Sequence, residues 1–145
     1  MTTINETTRI HTWLTTVLKA DATLNSAVGG RVYEGNAPQD SSFPVVIFQA
    51  TPVGDDTQGQ SGKYRTWSKW RVIVKAVNET NSALSLQTIA DRFEAVLHSA
   101  IGGTTGLVID YSVRKRPFYM KDTSVANKTY IHLGGEFELA GHYAP

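Results

Sequence analysis

The sequence contains no cysteine. That excludes a disulfide scaffold, a thiolate metal site and a cysteine nucleophile. It also lacks an excess of either charge: 14 Lys and Arg against 13 Asp and Glu leave a net charge of +1. Proteins dedicated to gripping phosphate backbones carry a larger basic surplus, so nucleic-acid binding is disfavoured except through a local patch. Long apolar runs are absent too. The longest, Val45-Val-Ile-Phe48, falls far short of a spanning helix. The opening residues, from Met1 to Arg9, are polar and have no apolar signal core. The expectation is a soluble protein made in a cytoplasm, with no membrane partner. The Asn-x-Thr triplets at Asn5, Asn78 and Asn127 then read as chance matches. No internal repeat, low-complexity tract or linker divides the chain.

What is present fits one globular domain over residues 1–145. Hydrophobic residues make up 41% and charged residues 19%, neither disordered nor fibrous. Thr3-x-x-Glu6 has the form of a capping box, and Ile10, Trp13, Leu14, Val17 and Leu18 follow at helical spacing. A helix is expected from about Ile4 to Ala20. Asp21 is placed to cap a short helical turn carrying Leu24 and Val28, closed by Gly29-Gly30. Short strands are expected at 31–34 and 44–50. The glycine-rich stretch from Val53 to Tyr64 reads as a long exposed loop.

From Arg65 to Val77 the residues alternate. Trp70, Val72, Val74 and Ala76 take one face; Lys69, Arg71 and Lys75 take the other, with Trp67 and Ile73 among them. A second long helix, capped near Ser82, carries Leu86, Ile89, Ala90, Phe93, Val96, Leu97 and Ile101 as its stripe and is stopped by Gly102-Gly103. Leu107 to Lys115 alternates again, with Leu107, Ile109, Tyr111 and Val113 on one side. Lys121 to Asn127 reads as a polar turn. In the last strand Ile131, Leu133, Phe137 and Leu139 oppose Tyr130, His132, Glu136 and Glu138. Gly134-Gly135 in its middle points to a bend or bulge. This order gives an α+β fold: a mainly antiparallel sheet with two main helices on one face.

Catalytic chemistry is hard to find. Gly59-Gln-Ser-Gly-Lys63 resembles a phosphate loop only faintly, because Thr57 stands where a glycine is required and Tyr64 where a Ser or Thr would meet magnesium. The four histidines show no zinc-helix spacing with a glutamate, and His98 near a helix end fits simple dipole complementarity. Asp55-Asp56 has the chemistry to bind a hard cation, but such pairs in glycine loops are usually solubilising. No enzyme activity, cofactor or metal is expected. Arg114-Lys-Arg116 with Phe118 and Tyr119 forms a basic-aromatic cluster, suited to base stacking or equally to a solvated strand end. Trp67, on the basic face, is either an interface anchor or intramolecular cover. The candidate interface is therefore Trp67, Lys69, Arg71, Asp55, Asp56, Arg114 and Arg116.

The stretch Val28-Gly-Gly-Arg-Val-Tyr33, then Ala37-Pro38, then Phe43-Pro-Val-Val-Ile47 resembles the tail-completion (tail-terminator) proteins of long-tailed bacteriophages. Val28 to Ile47 is its specific part. The later order of glycine-rich loop, strand, helix ending at Leu97-His98 and closing strand extends it over nearly the whole chain. The resemblance implies an antiparallel sheet flanked by helices and a head-to-tail homo-oligomeric ring, commonly hexameric. Because a tube end would template the ring and raise effective concentration, a monomer or labile ring is expected in dilute solution and a closed ring on tails. Such a ring caps the tail tube protein, stops polymerisation and offers a joining surface to the head connector or neck protein. DNA passes through the lumen unread, and no catalytic residues carry over. Localisation would be the virion tail at the head–tail junction, and the host cytoplasm during assembly. Two alternatives remain: a neck or head-completion protein of the same build, and a nucleic-acid binding module using Arg114, Lys115 and Arg116.

Overall fold

The structure is a computed structural model, and it describes residues 6–57 and 65–144. Helix α1 spans Glu6–Ala20 and buries Ile10, Trp13, Leu14 and Leu18, the stripe that its periodicity predicts. Thr3 of the capping box, and residues 4–5 of the expected helix, lie outside the described residues. Helix α2 spans Ala22–Val28. The Asp21 carboxylate caps it by accepting from Leu24 N at 3.0 Å, and Gly29 closes it in the left-handed conformation at φ 60°. The second long helix is a 3-10 turn, Ala83–Leu86, running into α3 at Gln87–Leu97; it ends earlier than expected, at the His98 C-cap, which leaves Ile101 exposed outside the stripe and Gly102-Gly103 in a strand.

Six strands form one sheet: β1 (Val32–Glu34), β2 (Val45–Thr57), β3 (Arg65–Glu79), β4 (Gly102–Thr104), β5 (Gly106–Asp122) and β6 (Tyr130–Ala144), in the order β1-β2-β3-β6-β5-β4. The expected antiparallel sheet is corrected to a mixed one, because β1 pairs parallel with β2. The chain from Gly35 to Pro44 brings β2 back beside β1 in the same direction, where a tight hairpin would have reversed it.

Three expectations about the strands are also corrected. The stretch from Val53 is not all loop. β2 runs on to Thr57, still paired with β3, and a register shift between Pro52 and Gly54 leaves Val53 as the extra residue. The remainder of that stretch, with the phosphate-loop-like Gly59–Lys63, lies outside the described residues. β5 is a 17-residue strand reaching Asp122, so Lys121 and Asp122 are strand rather than turn. A register shift at Asp110 turns its alternation over: Leu107, Ile109 and Ser112 are buried, whereas Tyr111 and Val113 face the other way. Finally, β6 passes through Gly134 and Gly135 with unbroken register. Here glycine serves close approach: a Cβ at Gly134 would lie 1.9 Å from the Val74 carbonyl oxygen of β3.

The core forms between the helices and one side of the sheet. Ile10, Trp13, Leu14 and Leu18 of α1 and Ile89, Phe93 and Leu97 of α3 join one apolar cluster with Val46, Phe48, Trp70, Val72, Val74, Phe137 and Leu139. Trp13 and Trp70 are core residues, as their faces predict. Trp70 donates its indole N–H to Thr7 Oγ1 at 3.1 Å, satisfying the polar atom of a side chain only 1% exposed.

Candidate interaction face

The opposite side of the sheet carries Ile47, Gln49 and Thr51 of β2, Trp67, Lys69, Arg71, Ile73 and Lys75 of β3, His132, Glu136 and Glu138 of β6, and Tyr111, Val113, Arg116 and Phe118 of β5. The register sets this: Arg71 lies opposite Glu138, Ile73 opposite Glu136, and Glu136 opposite Arg116. None of these residues belongs to the helix-packed core cluster. A one-sided sheet of this kind alternates apolar-in and polar-out, which is the pattern of β3 and β6.

Basic β3 and acidic β6 cross-pair, as their sequences predict. Glu136, only 14% exposed at its side chain, is held between two arginines: Arg116 Nε at 2.7 Å and Arg71 Nε at 3.7 Å. Glu138 accepts the Tyr111 hydroxyl at 2.7 Å and meets Lys115 Nζ at 3.3 Å. The Tyr111 hydrogen bond, with Lys115 nearby, holds the Glu138 carboxyl below its ordinary range. Burial and the same carboxylate push the Tyr111 phenol up to about 12, so it stays a donor. Isolated surface pairs contribute little, but Glu136 and Glu138 each take two partners, and a network fixes side-chain positions better than a lone pair.

Trp67 stands at one end of this face. Its ring meets Tyr111 edge-on at a centroid distance of 6.3 Å, and Lys69 Nζ lies 4.7 Å from its centroid. Beside it Val53, Lys69, Trp70, Arg71, Glu136 and Glu138 line a concavity of about 300 Å³. Val53 is 66% exposed, pushed out by the bulge.

The structure thus brings together Trp67, Lys69, Arg71 and Arg116. It does not bring Arg114 to them. Arg114 lies opposite Phe137 on the helix side, where its guanidinium meets Glu94 Oε2 of α3 at 3.0 Å. Asp55 lies opposite Ser68 and accepts its hydroxyl. Asp56 pairs with Trp67 through the backbone register. Sequence reasoning missed Tyr111 as a member of this face, because the bulge at Asp110 reverses an otherwise regular alternation, and it missed the second register shift, between Arg114 and Arg116, at which Lys115 meets the outward Glu138. It also missed the role of His98, which ends α3 and accepts the Arg114 backbone N–H on Nδ1 at 3.1 Å. Among the described residues no cluster of His, Asp and Glu has metal-binding geometry, and no helix is long and apolar enough to cross a membrane.

The family model for tail completion protein gp17 matches residues 12–113, more than two thirds of the chain. The chain belongs to that family. It is a structural protein of bacteriophage tails and their necks. No curated protein matches it. Among solved structures, a chain from the virion of a native gene transfer agent particle shares the fold at a TM-score of 0.66. Its identity is 16%, with 86% of this chain and 90% of that one covered. A second solved chain shares the fold at a TM-score of 0.50 and 13% identity, over 95% of this chain and 92% of its own.

Proposed function

We propose that this tail completion protein works as a terminator: copies close into a ring on the end of the tail tube, stop its growth and present the surface that the head connector joins. The observation that supports this reading best is the bare sheet face. It is ordered by a salt lattice, carries an aromatic anchor in Trp67 and opens into a concavity beside it. Such a face suits a protein partner, since aromatic side chains and ordered charges are what protein interfaces use.

The physics of termination is differential binding. The ring must hold the tube end well and offer the next tube subunit no comparable site. Head-to-tail contacts between copies are heterologous and close when the rotation per copy fits. The tube end supplies a symmetric template that raises the effective concentration of neighbouring copies, so ring contacts that are weak in dilute solution suffice on the tail. DNA passes through the ring without base-specific contacts.

Removal of the gene from its phage tests this directly. Capsids should remain unjoined and tails should grow to uncontrolled lengths. Tails that stop at normal length and still join heads would overturn it. Tails of normal length beside filled heads that leak DNA would favour the neck-protein reading.

A further inference from the structure

We infer that copies of this chain join by continuing one another's sheets, the free end of β5 in one copy lying along the free end of β2 in the next. The inference rests on the ring reading above and specifies its contact.

Among the described residues, each outer edge of the sheet is closed over part of its length and open over the rest. On β2, the short strand β1 covers only Val46–Phe48. Beyond it His11 Nε2 takes the Ala50 N–H at 3.4 Å, and Pro52 has no N–H to offer. The open stretch is therefore the end of β2, through Val53, Asp55 and Asp56. On β5, the short strand β4 covers only Leu107–Ile109. Beyond it Ser99 N–H donates to Ser112 O at 2.6 Å and His98 receives Arg114 N–H. The open stretch runs from Arg116 to Asp122. These two stretches are the ones where strand pairing can continue, since unpaired edge groups template another strand.

Direction, charge and apolar surface all agree. Three successive antiparallel pairings separate β2 from β5, so the two strands run oppositely within one copy. A neighbour set alongside in the same orientation thus presents an antiparallel partner. The β2 end carries Asp55 and Asp56; the β5 stretch begins at Arg116, 70% exposed at its side chain, next to Lys115. Val53 is 66% exposed on one stretch, and Tyr119 and Met120 are 59% and 39% exposed on the other. Pairing covers all three.

The stagger fits closure as well. Arg116 lies in the row of Glu136, Ile73 and Gln49, whereas Asp56 lies in the row of Trp67. Bringing Arg116 beside Asp56 shifts the neighbour by the distance from Ile73 to Trp67, about 20 Å along the strands. The four long strands span about 19 Å. The slope is about 45°, at the upper end of the strand tilt that sheets adopt when they close on themselves. An unstaggered neighbour would instead meet edges already covered by β4 and β1.

The test uses the absence of cysteine. Full-length chain carrying both Asp56→Cys and Arg116→Cys is assembled on tails and treated with a short bis-maleimide. Within one chain these positions are about 25 Å apart, so a short reagent links them only between copies. The expected result is a ladder of covalent oligomers ending at the ring size, absent from either single variant. Independently, Asp56→Lys and Arg116→Asp should each lower assembly on tails at least about tenfold, and the two together should restore most of it. A ring visible at the tail end with no ladder and no rescue would overturn the edge contact and leave the ring reading standing. No ring at the tail end would overturn both.

Discussion

Single residues carry two separable duties on this sheet. Gly134 is structural: β3 approaches so closely that any side chain collides with the Val74 carbonyl. Gly134→Ala should therefore destabilise the fold by at least about 2 kcal/mol, measured by denaturant unfolding. Trp67 is the contrasting case. It lies on the bare face and touches Tyr111 and Lys69 without entering the core cluster. Trp67→Ala should leave the unfolding midpoint nearly unchanged and weaken assembly by ~2 kcal/mol or more, the usual cost of truncating an interface anchor. A lowered midpoint with assembly intact would make it a packing residue. The outward position of Trp67 was readable from alternation along β3. The need for glycine at 134 was readable only as an oddity, because strand spacing across a sheet is a tertiary quantity that one strand's sequence does not contain.

At the level of elements, local signals read well wherever neighbours did not intervene. The stripe of α1, the Asp21 cap and the Gly29 stop of α2 were all legible, since capping and helical periodicity are settled within a few residues. Asp21 proved to have a second role. Its carboxylate receives Arg92 of α3, Nε at 3.1 Å and Nη2 at 2.5 Å, and this pairing holds the Asp21 pKa below the ordinary range. Asp21→Ala should thus cost about 1 kcal/mol for the lost cap and a smaller, solvent-screened amount for the lost Arg92 pair, so thermal unfolding should shift somewhat further than for a cap alone. Asp21→Ser, which keeps the cap and removes the charge, should recover only part. The bulges at Val53 and Asp110 were not legible. Each depends on how two strands fit, and the one at Asp110 moved Tyr111 to the side of the sheet away from the helices. Asp55 and Asp56, expected in an exposed loop, lie on β2, and Arg114, expected beside Trp67, lies on the helix side of β5.

For the molecule as a whole, the α+β class and single core followed from the order of elements, whereas the parallel β1–β2 pair did not. Nothing in a three-residue strand dictates its direction. Stability should depend on pH in two windows. His132 is half-buried, its Nδ1 has no hydrogen-bond partner, and burial lowers its pKa from the usual 6.5. The unfolded chain therefore takes up a proton first as pH falls below 6.5, and stability drops there. Unfolding temperature should decline between pH 7.5 and 5, and His132→Gln should flatten that decline. A second loss, at pH below about 4, should follow protonation of Asp21, Asp122 and Glu138, whose depressed pKa values contribute stability only while they stay ionised.

The partial closure of the two sheet edges by His11, His98, Ser99 and Pro52 bears on what free copies can do with one another. Continuous open edges of 13 and 17 residues would template the stacking of copies into fibrils. Reduced to short, charged stretches interrupted by proline, they present little continuous edge for such stacking.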